Sequence, residues 1–153
     1  MTEADDADPA AAPVVLVVED EALVAMLVTD VLAEAGYRPV WSADGRAGPA
    51  RPDRAMPAVA AAVVDLRLAD GLDGRQVVRH LRERHPDLPV VVVTGYHPEA
   101  PQADLRGLGG PTLRLCKPFD CADLQAGVAA VLEAPATPVT LRRRRSDRVE
   151  APA

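Results

Sequence analysis

The chain has 153 residues and a formal net charge of −6 at pH 7, and 48% of its residues are hydrophobic. This length allows one ordinary domain with its own core, and no apolar run approaches the roughly 20 residues that a membrane-spanning helix requires. The acidic start of the chain also lacks the basic segment of a secretory signal, so we expect a cytoplasmic protein.

Five short apolar segments occur along the chain, each with the length of a buried strand. They span residues 14–18, 38–41, 60–64, 90–93 and 112–116. Segments with the apolar spacing of helices follow the first, third and fifth of them, and the first of these helices ends at Gly36. Alternating strands and helices predict an α/β fold, in which five parallel strands form one doubly wound (βα)5 sheet with helices on both faces.

Two of the five expected helices have unfavourable sequences. The segment after the second strand contains Pro49 and Pro52, and the segment after the fourth contains Pro98, Pro101 and three glycines between 107 and 110. Proline and glycine weaken helix interiors, so we predict that helices two and four are short or irregular and that they are the mobile elements.

The two ends of the chain differ in composition from this periodic unit. Residues 1–13 are acidic and rich in Ala and Pro, while residues 134–153 contain several Pro and the run Arg142 to Arg145. We therefore expect one folded domain over residues 14–133 between two disordered segments, with no output domain after it. The domain itself is acidic, which argues against a general nucleic-acid-binding surface.

Polar side chains follow four of the predicted strands at the point where each strand ends. The carboxyl ends of parallel strands form one edge of the sheet, and ligands bind at that edge in open α/β folds. Three crowded carboxylates repel one another unless a cation joins them, and oxygen ligands favour Mg²⁺. One carboxylate can then act as a nucleophile toward phosphorus, while Mg²⁺ and a lysine neutralise the transferring oxygens. The residues of this predicted site are Glu19, Asp20, Asp65, Thr94, Gly95 and Lys117.

The lysine of this set is unusual for the chain. The sequence contains sixteen Arg but a single Lys, Lys117. A lone lysine in such a composition suggests a position at which Arg does not serve.

The motifs at the strand ends resemble those of the response-regulator receiver family. The resemblance covers about residues 14 to 133, and it implies a flavodoxin-like fold. It also implies a stand-alone receiver, which is a phosphoacceptor of a two-component phosphorelay rather than an enzyme in its own right. The matching segments are Val-Val-Glu19-Asp20-Glu21, the run from Val-Val-Asp65 to Asp73-Gly74, Val-Val-Thr94-Gly95 and Lys117-Pro118-Phe119.

The resemblance implies a metal site built around the phosphorylated residue. Asp65 is the expected phosphoacceptor, and Asp65 and Asp20 are expected to bind Mg²⁺ directly. Glu19 is expected to help through water, and the backbone carbonyl of Arg67 is the expected third protein ligand.

The resemblance also implies which groups contact the phosphoryl group. Lys117 is expected to pair with it, and Thr94 is expected to bond one of its oxygens and to move on activation. The backbone of Leu66 and of Gly95 is expected to complete these contacts. The peptide bond between Lys117 and Pro118 is expected to be cis.

The loop after Asp65 is rich in Asp and Gly. We interpret Asp70, Gly71, Asp73 and Gly74 as turn and helix-start residues. Glycine is expected there because such turns require a positive φ.

Two positions depart from the family's usual pattern. Arg114 stands three residues before the lysine, where many members have an aromatic residue that swings inward with the threonine. Tyr96 is a candidate to replace that residue. Tyr96 and Arg67 also occupy the two positions that, in the family, tune the loss of the phosphoryl group.

The expected partners are a sensor histidine kinase or phosphotransfer protein and a downstream protein target, and the expected state is a monomer or a weak homodimer. One alternative is a phosphorylation-independent interaction module with the same fold. Another is a nucleic-acid-binding protein that acts through the arginine-rich tail, although a solvated tail is the favoured interpretation. A metal-dependent hydrolase is the weakest alternative, because no separate general base accompanies the carboxylates.

Overall fold

The apolar segments of the sequence form the strands of one parallel sheet. The computed structural model describes residues 12–43, 59–133 and 140–142. The strands are β1 (Val14–Val18), β2 (Arg38–Ser42), β3 (Val59–Asp65), β4 (Val90–Thr94), β5 (Thr112–Cys116) and β6 (Thr140–Arg142), and the α-helices are α1 (Ala22–Glu34), α2 (Gly74–Arg84) and α3 (Cys121–Leu132). The strands pair in the order β2-β1-β3-β4-β5-β6. None of the described helices is long and apolar enough to cross a membrane.

The sheet is buried on both faces, as its Val-rich strands require. Val15 and Val17 of β1 belong to a core that includes residues of α1 and α3, whereas Leu16 and Val18 belong to a second core with residues of α2. Full burial of one such side chain stabilises the fold by about 1.5–3 kcal/mol. The predicted α/β fold, with parallel strands and helices on both faces, is confirmed.

A sixth strand lies within a segment that we expected to be disordered. The backbone of β6 pairs with β5, and Thr140 and Arg142 stand opposite Thr112 and Arg114. The outer edge of β5 offers unpaired backbone groups, which a neighbouring extended segment can satisfy. Residues 140–142 therefore depart from the expected disorder of 134–153. The rest of that segment, the acidic segment up to residue 11 and the expected second helix within 44–58 lie outside the described residues.

The segment between β4 and β5 has no α-helix. Its one helical element is a 3₁₀ turn, Pro101–Ala103, and the glycines at 107, 109 and 110 all have positive φ values. Because an α-helix requires negative φ at every position, this stretch cannot continue a helix. The prediction that the fourth helix is short or irregular is confirmed, and its mobility stays a prediction.

The buried guanidinium of Arg82 in α2 holds this irregular segment in place. Its Nε and Nη2 donate to the carbonyl of Leu88 at 3.1 and 2.8 Å, and Nη2 also donates to the carbonyl of Pro111 at 2.6 Å. Its Nη1 donates to the carbonyl of Leu108 at 3.3 Å and to Thr112 Oγ1 at 2.9 Å. Burial lowers the pKa of Arg82 to about 10, so the side chain stays charged at neutral pH. Side-chain hydrogen bonds thus replace those that a helix would make within its own backbone.

Candidate functional site

An open cleft of about 830 Å³ lies at the carboxyl edge of the sheet, where β1, β3 and β5 end. The loops that leave these strands form its walls, as expected for an open parallel sheet. A 3₁₀ residue of the irregular segment, Gln102, also reaches it, and the sequence had not indicated this contribution. The lining residues are Glu19, Asp20, Glu21, Asp65, Leu66, Arg67, Leu68, Ala69, Gly71, Leu72, Asp73, Tyr96, Gln102 and Lys117.

Three carboxylates meet in this cleft. Glu19, Asp20 and Asp65 each offer one oxygen, and these oxygens all lie within 4.8 Å of one another. Glu19 and Asp65 are buried, whereas Asp20 is exposed. Buried like charges at this distance destabilise one another unless a proton or a cation intervenes. An all-oxygen set that is partly open to water fits Mg²⁺, which keeps several of its waters when bound.

Glu19 shows the electrostatic strain of this arrangement. Its side chain is only 5% exposed, and the Glu21 N–H donates to Glu19 Oε1 at 3.0 Å. Burial raises the pKa of Glu19 to about 7, and the nearby charge of Asp65 acts in the same direction, while the Glu21 N–H opposes both. The backbone carbonyl of Glu19 accepts a hydrogen bond from Trp41 Nε1 at 2.7 Å, which fixes the end of β1 against β2. The position of the Glu19 carboxyl is therefore set by the fold.

Asp65 lies at the centre of the site. Its Oδ2 accepts a hydrogen bond from Lys117 Nζ at 2.9 Å, and its Oδ1 accepts one from the backbone N–H of Arg67 at 2.9 Å. Burial works against the charge of Lys117, but the hydrogen bond and the charge of Asp65 outweigh it, so the pKa of Lys117 lies above its ordinary value. The only lysine of the sequence is thus a charged partner of Asp65 at neutral pH.

The backbone at the end of β5 sets the direction of this lysine. The peptide bond between Lys117 and Pro118 is cis, as the family resemblance implied. The N–H of Lys117 donates to the carbonyl of Thr94 at 2.8 Å, which joins the ends of β4 and β5. The two strands therefore present Thr94 and Lys117 beside each other.

Thr94 is set behind the wall of the cleft. It is 1% exposed, and its hydroxyl oxygen accepts a hydrogen bond from the N–H of Tyr96 at 2.9 Å. Tyr96 itself lines the cleft. A Cβ atom at Gly95 would lie 4.0 Å from Lys117 Cδ, so this glycine passes next to the lysine stem.

The backbone after Asp65 differs from what the resemblance implied. The Leu66 N–H donates to the carbonyl of Val93 at 3.0 Å, and the Leu66 carbonyl accepts from the Gly74 N–H at 2.8 Å. The backbone of Leu66 is therefore engaged in the sheet and in the loop. The N–H that lies on the Asp65 carboxylate belongs to Arg67 instead.

Gly74 is the helix-start residue that the sequence predicted, but the positive φ expected of it is wrong. Gly71 has the positive φ expected of a turn glycine, at 73°, but Gly74 is not among the described glycines with positive φ. A Cβ atom at Gly74 would lie 2.2 Å from the backbone oxygen of Asp65 and 2.7 Å from Leu66 Cα. Gly74 is needed because the first turn of α2 passes directly against the backbone that carries Asp65. Asp73 caps this turn by accepting the N–H of Arg75 at 2.9 Å.

The chain matches known proteins over most of its length. Residues 15–129 match the response regulator receiver domain. The photosynthetic apparatus regulatory protein RegA of Rhodovulum sulfidophilum is 34% identical over 142 residues, which cover 90% of this chain and 75% of that protein. The chain spans only 42% and 52% of two other curated relatives.

Solved structures agree with the sequence matches. A response regulator receiver protein from Sinorhizobium medicae superposes with a TM-score of 0.68 at 27% identity, covering 82% of this chain and 98% of that one. The receiver domain of the sensor histidine kinase PA1611 from Pseudomonas aeruginosa, solved with a magnesium ion coordinated in its active-site cleft, has a TM-score of 0.66 at 26% identity, covering 81% of this chain and all of that one. The chain therefore belongs to the response regulator receiver domain family, and it is a receiver of the kind found in two-component signalling proteins.

Proposed function

We propose that Asp65 accepts a phosphoryl group from a sensor histidine kinase or a phosphotransfer protein, and that the modified domain signals through contact with a downstream protein. The observation that carries this proposal is the position of Asp65. Its carboxylate is buried among two further carboxylates and is held at 2.9 Å by the only lysine of the sequence. Among the residues that the structure describes, no other group of three His, Cys, Asp or Glu side chains could hold a metal ion.

Mg²⁺ is the cofactor that the carboxylate cluster supports. Asp20 and Asp65 are the proposed direct ligands, Glu19 is the proposed partner of a metal-bound water, and the carbonyl of Arg67 is the proposed third protein ligand. Bound Mg²⁺ would supply positive charge opposite the oxygens of the incoming phosphoryl group. The acidic oxygens within 4.8 Å of one another fit this ion, since carboxylate and water are the ligands it prefers.

The chain's own groups then have separate tasks in phosphoryl transfer. A carboxylate oxygen of Asp65 forms a new bond to phosphorus while the bond from phosphorus to the donor's imidazole nitrogen breaks, and the imidazole leaves with that electron pair. Lys117 Nζ neutralises a phosphoryl oxygen, and the Thr94 hydroxyl, whose oxygen accepts from the Tyr96 N–H, donates its own proton to another. The backbone N–H groups of Gly95 and Arg67 are the proposed remaining donors. Arg67 takes the place we first assigned to Leu66, because the Arg67 N–H already lies on the Asp65 carboxylate, whereas the Leu66 N–H is bound to the carbonyl of Val93 in β4.

Intact mass spectrometry after incubation with acetyl phosphate and Mg²⁺ tests this function. We expect the wild-type chain to gain the mass of one phosphoryl group and Asp65→Asn to gain none. Asp87→Asn is the matched control, because Asp87 is an exposed aspartate in the loop before β4. A phosphorylated Asp65→Asn protein contradicts the assignment. A folded wild-type protein that gains no mass would favour the phosphorylation-independent interaction module.

The wider setting of the domain also belongs to the proposal. We propose that the receiver works in the cytoplasm as a monomer or a weak homodimer, in keeping with its acidic composition. The tagged chain is mixed with each member of a panel of purified histidine kinases. Pull-down of the bound kinase and transfer of labelled phosphate from it identify the donor. Transfer from none of them would contradict a direct kinase partner.

A further inference from the structure

A second cleft, separate from the acidic one, lies between β5 and the irregular segment that replaces the fourth helix. Its volume is about 580 Å³, and it shares no lining residue with the acidic cleft. One wall is the 3₁₀ turn with its flanking prolines, and the other is the strand residue Arg114. The lining residues are Pro98, Glu99, Ala100, Pro101, Asp104, Leu105, Arg106 and Arg114.

Arg114 is a buried cation whose hydrogen bonding is incomplete. It is 7% exposed, and its Nη2 donates to the carbonyl of Ala103. Its Nε is buried and has no hydrogen-bond partner among the described residues. A buried N–H without a partner destabilises a fold and therefore requires an explanation, and an acceptor that enters from outside supplies one.

Comparison with Arg82, the other buried arginine among the described residues, shows that incomplete hydrogen bonding of the guanidinium is particular to Arg114. All three nitrogens of the Arg82 guanidinium donate to backbone carbonyls or to Thr112 Oγ1. The hydrogen bonding of the Arg82 guanidinium is therefore complete without a ligand. Arg114 borders a cleft, and its buried Nε has no partner among the described residues.

The acidic residues of the cleft do not supply the missing hydrogen-bond acceptor of Arg114. Asp104 is bound by Arg106, whose Nε and Nη2 donate to its carboxylate at 2.8–3.2 Å, and these bonds hold the pKa of Asp104 below its usual range. Glu99 is exposed, and its N–H bonds to His97 Nδ1. No described salt bridge joins either carboxylate to Arg114.

We propose that this cleft binds a carboxylate group at the guanidinium of Arg114. Two other arginines of this chain, Arg75 and Arg106, already bind carboxylates through the edge formed by Nε and Nη2. The same edge of Arg114 is the one that retains an unused donor. A singly charged, planar carboxylate suits the cleft better than a phosphate, because Glu99 and Asp104 at its margin repel a doubly charged anion.

Two sources of this carboxylate are possible in chemical terms, an acidic side chain of a partner protein and a small free carboxylate. Arg114 lies within β5, in register with Val92 of β4, and Lys117 follows the last residue of that strand. A ligand there would contact the strand that leads directly to the lysine of the acidic cleft. The inference does not depend on phosphorylation, so its failure and that of the proposed function are distinguishable.

The test is an NMR titration of the arginine Nε–H signals of the full chain at pH 7. The probes are sodium acetate and the capped peptide acetyl-Gly-Glu-Gly-amide, with sodium chloride at equal ionic strength as the control. We expect the Arg114 signal to shift and saturate with both probes but not with chloride, while the Arg82 signal stays in place. At least tenfold tighter binding of the peptide assigns the site to a protein side chain, and equal binding assigns it to a free carboxylate.

Substitution then checks the residue assignment. Arg114→Lys keeps the charge but removes the Nε–H donor and its fork geometry, so we expect at least tenfold weaker binding, whereas Arg79→Lys on the exposed side of α2 leaves binding unchanged. If Arg114→Lys does not fold, the wild-type titration alone decides. An Arg114 signal that neither carboxylate moves more than chloride does overturns the proposal.

Discussion

Gly74→Ala tests the close contact that positions Asp65. The added Cβ would lie 2.2 Å from the backbone oxygen of Asp65 and 2.7 Å from Leu66 Cα, and backbone atoms cannot yield as a flexible side chain does. To relieve this clash, the first turn of α2 must move away from the backbone of Asp65 and Leu66. That movement also weakens the hydrogen bond from the Gly74 N–H to the Leu66 carbonyl. Overpacking costs about 1–3 kcal/mol, a lost hydrogen bond about 0.5–1.5 kcal/mol, and alanine returns at most about 1 kcal/mol of helix propensity. We expect a net loss of about 1–3 kcal/mol.

Urea unfolding followed by circular dichroism measures this loss. Gly127→Ala is the matched control, because the nearest atom to its added Cβ is the side-chain atom Leu113 Cδ2 at 3.3 Å. We expect that control to be within about 1 kcal/mol of the wild type, since alanine favours the helix and a methyl group can move. We also expect slower phosphorylation of Gly74→Ala, because the displaced backbone carries Asp65. A Gly74→Ala protein as stable as the wild type would refute the close-contact explanation.

Three further changes probe other parts of the structure. Lys117→Arg should slow phosphorylation by acetyl phosphate at least tenfold while the fold persists, because a guanidinium does not reproduce the compact ammonium contact with Asp65. An unchanged rate would contradict the inference that position 117 requires a lysine. Glu19→Gln should flatten the pH dependence of stability in the absence of divalent ions. Burial raises the pKa of Glu19 to about 7 in the folded state, whereas the unfolded chain loses this proton from about pH 4.5 upward. The folded protein therefore binds the proton more tightly than the unfolded chain does. The free energy of unfolding of the wild type should fall by about 1–3 kcal/mol as the pH rises from 4.5 to 8. Equal slopes for the two proteins in urea titrations would contradict this. Arg82→Met should lower the free energy of unfolding by about 3 kcal/mol or more, since several buried carbonyls lose their hydrogen-bond donor. Amide hydrogen exchange should accelerate between residues 105 and 112. Unchanged exchange there would show that the guanidinium does not hold that segment.

The sheet and the acidic cluster follow directly from local sequence patterns. Short Val-rich segments have few alternatives to a buried parallel strand, and parallel strands place their carboxyl ends at one edge. That rule alone brings Glu19, Asp20 and Asp65 together before any coordinates are known. The pairing of Lys117 with Asp65 follows in the same way from the end of β5.

Contacts between segments distant in sequence could not be read from those patterns. The role of Gly74 depends on how closely α2 approaches β3, and a turn glycine and a close-contact glycine are identical in sequence. Leu66 donates to Val93 because the last pair between β3 and β4 joins Asp65 to Val93, and the register of that pair is not visible in the sequence. The incomplete hydrogen bonding of Arg114 likewise depends on where the irregular segment lies against β5.

Mapping the modified residue tests the central claim most directly. After incubation with acetyl phosphate and Mg²⁺, borohydride reduction converts an aspartyl phosphate to homoserine, and peptide mass spectrometry locates the change. We expect homoserine at position 65 alone, and its loss when Mg²⁺ is chelated. Modification at Asp20 or at any other carboxylate, or at Asp65 to the same extent without a divalent ion, would contradict an acidic cluster in which a bound cation leaves Asp65 as the phosphoacceptor.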